Sequence, residues 1–160
     1  MDYDKVIYPG TNGKMTEMAA AMGLTNLEDI GTFVAANRRN YECYRAEVAS
    51  IPGLSVLPFD ERERNNFQYI VLEVLPDFPS SRDHVVAALH AENVLARRYF
   101  WPGCHNMQPY RSYYPNAGLV LPWTNEVAAR VVVLPTGSAV QTQDILGITS
   151  ILRVLAAADG

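Results

Sequence analysis

The sequence predicts an α+β fold in which long helices cover one face of a small, mostly antiparallel sheet. Apolar residues recur at helical spacing in several segments, and other segments are short runs of β-branched and aromatic residues bounded by proline. The 160 residues, of which 49% are apolar and 19% charged, suffice for one domain with a real core. We therefore expect a single domain over residues 1–160.

Two helices are predicted near the start of the chain. The first covers about residues 16–23, because apolar side chains recur there at helical spacing and Gly23 is a plausible stop. The second begins at the capping-box spacing of Thr25 and Glu28 and runs to about Ala49. We expect the methionines of the first helix to pack inward. These are Met15, Met18 and Met22.

Two strands and a third long helix are expected next. Residues 67–74 are the best strand candidate, because aromatic and β-branched residues fill this run and a proline soon follows it. Residues 54–57 form a shorter candidate, which is closed by a proline. Ser80 or Ser81 can then cap a helix that begins in the following residues.

The last third of the chain alternates between strands, an aromatic segment and helices. A strand is expected over residues 94–100, and the segment from Trp101 to Trp123 is expected to be irregular. A short helix over residues 125–130 precedes a short strand over residues 131–135. The last helix begins at Thr142, with a carboxylate in its first turn that favours the helix dipole.

Charge and cysteine content exclude several function classes. The net charge of -4 argues against general affinity for nucleic acid, which needs clustered Lys and Arg to neutralise phosphates. Cys43 and Cys104 form neither a disulfide framework nor a zinc motif, and Cys104 is expected to be a small buried side chain. The acidic first residues do not match a secretory signal, and no apolar run approaches the roughly 18 residues of a membrane span. We therefore expect a cytoplasmic protein without a membrane partner.

The segment from Arg97 to Tyr114 holds the strongest candidates for ligand contacts. Arginine side chains can hold phosphate by forked hydrogen bonds, aromatic rings can stack on a base or a sugar, and His105 can exchange a proton near neutral pH. Together these residue types suit an anionic, partly aromatic ligand such as a nucleotide sugar. Two alternatives stay open, because an aromatic-rich loop can simply seal a core and a single loop histidine can be structural.

The turn around Asn12 carries the second candidate group. Gly10 and Gly13 flank this amide, and Lys14 follows just before the first predicted helix. An asparagine in such a turn is commonly just a turn former. The segment nevertheless resembles a motif of the sugar-nucleotide aminotransferases of the DegT/StrS family. The matching residues are Gly10, Asn12, Lys14, Met15, Thr16, Glu17, Ala20, Ala21, Gly23 and Leu24.

Two further segments strengthen this resemblance. The run from Ala96 to His105, and the Val133–Pro135 segment before a final helix, occur in the same order in that family, so the resemblance covers nearly the whole chain. It implies the small C-terminal domain of the aspartate-aminotransferase fold type. It also implies a pyridoxal-phosphate enzyme that moves an amino group, usually from glutamate, onto a nucleotide-linked keto sugar. The Arg-Tyr-Phe-x-Pro motif resembles that of family members that aminate the sugar at C4.

The resemblance also implies roles for individual residues. Asn12 would reach the cofactor phosphate of the neighbouring subunit in a homodimer. Four residues would contact the sugar nucleotide, namely Lys14, Arg97, Tyr99 and His105. The resemblance gives this chain no catalytic residue and no metal ligand.

The main departure from the family concerns the lysine that would bind the cofactor covalently. The family's large domain, which carries the lysine that binds pyridoxal phosphate, precedes the Asn12 motif, whereas nine residues precede it here. Neither Lys5 nor Lys14 has the expected context, so we expect the large cofactor domain to be absent and no covalent cofactor bond to form. The first hypothesis is the C-terminal part of an aminotransferase, inactive alone. The alternatives are a non-catalytic nucleotide-sugar binding or regulatory module and a purely structural interaction domain.

Overall fold

The computed structural model describes residues 13–157. It divides into two compact units, one up to Gly31 and one from Thr32 onward, and each is described by itself; a single domain over residues 1–160 stays a prediction. None of the helices described over residues 13–157 is both long and apolar enough to cross a bilayer. The elements are α1 (Glu17–Glu28), α2 (Ile30–Val48), β1 (Leu54–Val56), β2 (Ile70–Val74), α3 (Arg82–Ala91), a 3₁₀ turn (Cys104–Asn106), α4 (Tyr110–Tyr113), α5 (Ala117–Val120), α6 (Pro122–Arg130), β3 (Val131–Leu134) and α7 (Thr142–Ala157).

The first unit contains α1, whose end differs from the prediction. Thr16 caps this helix, because its side chain accepts a hydrogen bond from the Ala19 backbone N–H at 3.2 Å. The helix continues through Gly23, and the Thr25 hydroxyl donates to the Ala21 carbonyl at 3.2 Å instead of capping a second helix. The predicted boundary is wrong, since a glycine inside a helix costs only about 1 kcal/mol and this threonine finds its acceptor within the helix.

The methionines of this segment also depart from expectation. Met15, Met18 and Met22 are 73%, 78% and 65% exposed, so they do not pack inward as predicted. No residue of α1 is buried. The first unit, as far as it is described, contains no second complete element against which this methionine face could pack.

The second unit begins within α2, whose later turns supply core contacts. Tyr41 and Tyr44 are buried. Asn40 is fully buried beside them. Its amide nitrogen donates to Thr136 Oγ1 at 3.2 Å and to the Gly137 carbonyl at 2.9 Å. Because both amide hydrogens have acceptors, this polar group is tolerated in the core and ties α2 to the loop after β3.

The three strands described form one antiparallel sheet in the order β1-β2-β3, and this antiparallel pairing agrees with the predicted fold class. Leu72 of the central strand pairs with Val56 of β1 and with Val132 of β3. Alternate residues of β2 are buried, from Ile70 to Val74, and the residues between them are half-buried. One face of the sheet therefore covers the core, which is the pattern of a strand with one packed face.

Two segments that were predicted as strands differ from the prediction. β2 begins at Ile70, because Phe67 has a φ of 51°, outside the extended region. Residues 94–100 form no strand, and Arg97 makes only an isolated bridge to β3. The Trp101 backbone N–H donates to the carbonyl of residue 98 at 2.7 Å, so the chain turns directly after this bridge.

Helices α3 and α7 pack against each other, and α3 also contacts β3. Ser81, rather than Ser80, caps α3 by accepting a hydrogen bond from the His84 backbone N–H at 3.2 Å. The last helix begins at Thr142, as predicted. The buried apolar residues of α3 and α7 are Val85, Val86, Leu89, Ile145, Ile148, Leu152 and Leu155.

Arg82 is a buried cation at the start of α3, with only 4% of its surface exposed. Its Nη1 atom donates to the carbonyls of Ala128 at 2.7 Å and Val131 at 3.1 Å. Its Nε atom donates to Asp83 at 2.8 Å, and the guanidinium lies 4.8 Å from the centre of the Trp101 ring. These bonds offset the desolvation of the charge, and they join the start of α3 to the end of α6 and the start of β3.

Asp83 also pairs with a second arginine. The Nη1 atom of Arg98 lies 3.2 Å from the same carboxylate oxygen. Burial raises the pKa of Asp83, but the charges and hydrogen bonds of Arg82 and Arg98 together outweigh this effect, so the pKa lies below its ordinary value. The ion pairs therefore stabilise the folded state above the ordinary carboxyl pKa, and this stabilisation is lost as pH falls through the lowered pKa.

Replacing Arg82 with leucine is expected to lower the free energy of unfolding by about 3 kcal/mol, because two buried carbonyls lose their donor. Arg98→Leu is the matched control, since Arg98 also pairs with Asp83 but its side chain is 46% exposed. Its expected effect stays within about 0.5 kcal/mol. Urea unfolding of both variants measures the difference. Equal losses would show that Arg82 contributes no more than a surface ion pair.

Candidate ligand-binding site

A pocket of about 910 Å³ opens in the second unit, between the loop after residue 98 and helices α4 to α6. Its size lies within the range of small-molecule sites, roughly 300–1,000 Å³. The walls are mostly apolar and aromatic, with a few polar side chains. The aromatic side chains are Tyr99, Phe100, Tyr110, Tyr114 and Trp123, and the polar ones are Cys104, His105 and Thr124.

Tyr99 is held by its neighbours on two sides. Its hydroxyl accepts a hydrogen bond from Arg97 Nη1 at 3.1 Å, and the same guanidinium lies 5.8 Å from the ring centre. Its ring meets Phe100 edge-on at 4.6 Å and lies 5.9 Å from the ring of Tyr69. These contacts fix one aromatic wall of the pocket, and Arg97 keeps further N–H donors on an exposed side chain.

Gly103 allows the loop to pass close to His105. The glycine has a φ of 86°, a conformation that side chains disfavour. A Cβ atom at this position would lie 2.8 Å from His105 Cε1 and 3.0 Å from His105 Nδ1. Both the backbone angle and the space beside the imidazole therefore require a residue without a side chain.

A cluster of amides anchors the imidazole of His105. The Nε2 atom lies 2.7 Å from Asn125 Oδ1. The Asn125 amide nitrogen donates to the Gly118 carbonyl at 3.0 Å, and the Asn106 amide nitrogen donates to the Pro102 carbonyl at 2.9 Å. These bonds connect the loop that carries His105 to α5 and α6, so the polar end of the pocket is ordered by side chains rather than by regular structure.

The structure places two of the predicted site residues, Tyr99 and His105, in the pocket wall. Arg97 does not line the pocket but is bonded to the Tyr99 hydroxyl. Lys14 belongs to the first unit, where its side chain is exposed. Asn12 lies outside the described residues. The contacts predicted for these residues with a ligand stay predictions.

Cys104 differs from its expectation as a buried side chain. It is exposed and lines the pocket, because it opens the short 3₁₀ turn on the surface loop. Within residues 13–157, no group of three His, Cys, Asp or Glu side chains lies close enough together to hold a metal ion.

Two residues that organise the site were missed by the sequence reasoning. Asn125 lies 20 positions after His105, and no local pattern links the two. Arg82 did carry a signal, because it shares a helical face with Val85 and Leu89, and a charge at such a position indicates a buried, bonded side chain.

The pocket walls do not fit a covalently held pyridoxal phosphate. That cofactor is attached through a lysine amine and has a charged partner at its pyridine nitrogen. The described walls contain no lysine, aspartate or glutamate. Between residues 13 and 157 there is one lysine, Lys14, and its side chain is exposed. The described walls therefore offer no amine to which this cofactor could be attached.

Comparisons with known proteins give a consistent picture. A model described as the DegT/DnrJ/EryC1/StrS aminotransferase family matches residues 2–153. The dTDP-4-amino-4,6-dideoxy-D-glucose transaminase of Shigella dysenteriae is 35% identical over 146 residues, which cover 90% of this chain and 39% of the relative. The Escherichia coli protein of the same name is 32% identical over 147 residues, covering 92% and 40%. The chain spans about two fifths of the length of these curated relatives.

Solved structures share the fold. The crystal structure of DesI in the presence of its TDP-sugar product is 44% identical with a TM-score of 0.83, covering 92% of this chain and 37% of that one. The structure of S. venezuelae DesV in complex with a ketimine intermediate is 20% identical with a TM-score of 0.80, covering 98% and 40%. The second likeness shows the fold alone. Together they confirm the predicted α+β class.

Gly103→Ala is expected to lower the free energy of unfolding by about 1–3 kcal/mol more than Gly137→Ala does, because only its methyl group collides with the His105 ring. The control carries the same kind of backbone strain, with a φ of 122°, but has no atom within 4 Å of its added Cβ. Thermal unfolding compares the two stabilities, and the ring proton resonances of His105 report its displacement. Equal losses in the two variants would contradict the close packing of Gly103 on the imidazole.

Proposed function

The chain belongs to the DegT/DnrJ/EryC1/StrS aminotransferase family, and we propose that it is the C-terminal part of a pyridoxal-phosphate-dependent sugar aminotransferase. The complete enzyme would transfer an amino group from an amino-acid donor, glutamate, to C4 of a nucleotide-linked keto sugar. The isolated chain would bind the sugar nucleotide and lack aminotransferase activity of its own.

The names of the relatives support the reaction and the substrate class. Aminotransferases of this family depend on pyridoxal phosphate. The two curated relatives described above are named as transaminases of a dTDP-linked 4-amino sugar. The DesI protein, which is 44% identical, was crystallised in the presence of its TDP-sugar product. A nucleotide-linked sugar with a keto group at C4, which amination would convert to such a 4-amino sugar, is therefore the substrate class that we assign to the complete enzyme.

The pocket is the single observation that carries a binding role for this chain. Its aromatic walls offer flat surfaces on which a base or the apolar face of a sugar can stack. His105 and Thr124 place a small number of polar groups among these walls. A mostly apolar pocket with few polar groups is typical of a small-molecule site, and its volume of about 910 Å³ leaves room for a nucleotide sugar.

Individual side chains can take distinct parts in holding such a ligand. Tyr99 can stack on the ligand, because its ring is fixed in the wall. Arg97 can neutralise a phosphate with the donors that it does not use on Tyr99, since guanidinium groups bind phosphate oxygens in pairs. His105 can form a hydrogen bond with a polar group of the ligand. Lys14 is proposed as a further cation for the sugar nucleotide.

Protein partners are part of the same proposal. Asn12 is proposed to contact the cofactor phosphate of a neighbouring subunit in a homodimer. Leu119, Val120 and Trp123 are 81%, 77% and 77% exposed. A contiguous group of exposed apolar side chains marks a surface that binds other protein, and these three residues lie within five positions of the chain. Their exposure supports a second copy or a large cofactor domain as the partner.

The alternative is a nucleotide-sugar binding or regulatory module without catalysis. The lack of lysine and carboxylate side chains in the described walls fits this module, and it equally fits the C-terminal part of an enzyme whose cofactor lysine lies in the large domain. The exposed apolar residues favour the aminotransferase part, because an independent module would present a more polar surface. We therefore keep the aminotransferase part as the main proposal.

The full chain is expected to bind dTDP-4-amino-4,6-dideoxy-D-glucose in isothermal titration calorimetry. Tyr99→Ala should weaken binding by about tenfold or more, because stacking of one ring contributes on the order of 1–3 kcal/mol. Tyr113→Ala is the matched control, since Tyr113 is 70% exposed and lies outside the pocket wall. Equal affinities for all three proteins, or no binding by the unmodified chain, would contradict the binding role.

Pyridoxal phosphate is expected to leave no stable adduct on this chain after borohydride reduction. The chain has two lysines, Lys5 and Lys14, and neither has the expected sequence context. An absorbance titration followed by reduction and peptide mapping measures the modification. A stoichiometric reduced adduct on either lysine would overturn the proposal that the chain lacks its own cofactor anchor. A lysine-rich unrelated protein treated in parallel controls for the reduction step.

A further inference from the structure

The geometry points to Asn125 as a positioning residue that keeps the proton of His105 on Nε2, so that Nδ1 serves as a hydrogen-bond acceptor for a hydroxyl of the pocket's ligand. The identity of that ligand as a nucleotide-linked sugar rests on the proposed function, whereas the position of the proton on the imidazole ring does not. Asn125 would act through His105 and would itself make no contact with the reacting atoms.

The orientation of the Asn125 amide decides which imidazole nitrogen is protonated. Its nitrogen donates to the Gly118 carbonyl at 3.0 Å, so its oxygen is the atom that faces His105. This Oδ1 atom lies 2.7 Å from Nε2. A carbonyl oxygen can only accept, so the hydrogen of this bond must come from Nε2. The protonated nitrogen is thus assigned from the hydrogen-bond network.

Asn106 brings a competing donor to the same nitrogen, but the hydrogens of its amide have other acceptors. Its amide nitrogen lies 2.9 Å from the Pro102 carbonyl, 2.9 Å from His105 Nε2 and 3.4 Å from Asn125 Oδ1. Its two hydrogens can go to the Pro102 and Asn125 oxygens, because an amide oxygen accepts two hydrogen bonds. The opposite tautomer would place the Nε2 lone pair 2.7 Å from the Asn125 oxygen, which is repulsive.

The other ring nitrogen is left for a ligand. Within residues 13–157, Nδ1 of His105 has no hydrogen-bond partner. Gly103 presents no side chain beside it, and a Cβ there would lie only 3.0 Å away. His105 lines the pocket together with Tyr99. An acceptor beside an aromatic wall suits a ligand that combines a hydroxyl with a flat or apolar face, as a sugar does.

Two-bond ¹H–¹⁵N correlation spectra of the uniformly ¹⁵N-labelled full chain test the assignment in mildly alkaline buffer. The signals of His105 are identified by their loss in His105→Gln. The neutral ring is expected to show the Nε2–H pattern. A predominant Nδ1–H pattern would overturn the inference. This measurement needs neither ligand nor cofactor.

Substitutions at Asn125 separate positioning from simple structural support. In Asn125→Leu, the Asn106 amide becomes the donor to Nε2, and the Nδ1–H form is expected to gain about fivefold, the factor that one net hydrogen bond supplies. Asn125→Asp restores an acceptor and should restore the Nε2–H pattern. An unchanged ratio of the two forms in Asn125→Leu would contradict the positioning role, whatever the stability of the variant.

Titration with dTDP-4-amino-4,6-dideoxy-D-glucose tests the ligand contact. Binding is expected to shift the Nδ1 resonance of His105 and to leave the Nε2 resonance nearly unchanged. Binding that shifts only Nε2, or neither nitrogen, would overturn the acceptor role. If this sugar nucleotide does not bind at all, the proposed function fails, and the tautomer spectra alone then decide the inference about Asn125.

Discussion

The buried guanidinium of Arg82 is the constraint on which the pocket depends. Its two carbonyl partners, Ala128 and Val131, are themselves residues of the pocket wall. The ring of Trp101 covers its face at 4.8 Å, and this residue lies in the chain between the pocket residues Phe100 and Gly103. Moving this wall would remove hydrogen-bond acceptors from a cation that is 4% exposed, and an unpaired buried charge costs several kcal/mol. The shape of the pocket is therefore coupled to the packing of α3.

The opposite end of the pocket is held by neutral groups. The amides of Asn106 and Asn125 tie the imidazole of His105 to the Pro102 and Gly118 carbonyls. Helix α6 is thus fixed at its first turn by an amide cluster and at its last turn by an arginine. A loop with only short helical turns can be ordered in this way, because side-chain hydrogen bonds replace the backbone bonds of longer elements.

Local signals predicted much of the fold, and their limits have physical reasons. Ser81 and the apolar spacing after it predicted α3, because a cap and an amphipathic face are both short-range features. Thr25 had the spacing of a cap, but the continuing helix supplied an acceptor for its hydroxyl. Residues 94–100 have the composition of a strand, yet the chain turns after Arg97, so this segment makes a single β-bridge to β3. His105 was a candidate from its loop, whereas Asn125 could not be found, because only the tertiary fold brings the two together.

The two tryptophans of the chain stand in different surroundings. Trp101 lies on the Arg82 guanidinium, and Trp123 is 77% exposed in the pocket wall. Their intrinsic fluorescence therefore contains two separable signals. Emission from Trp101 is expected to respond to disruption of the arginine anchor, and emission from Trp123 to a ligand in the pocket. Single-tryptophan versions of the chain would thus distinguish unfolding from ligand release without an added label.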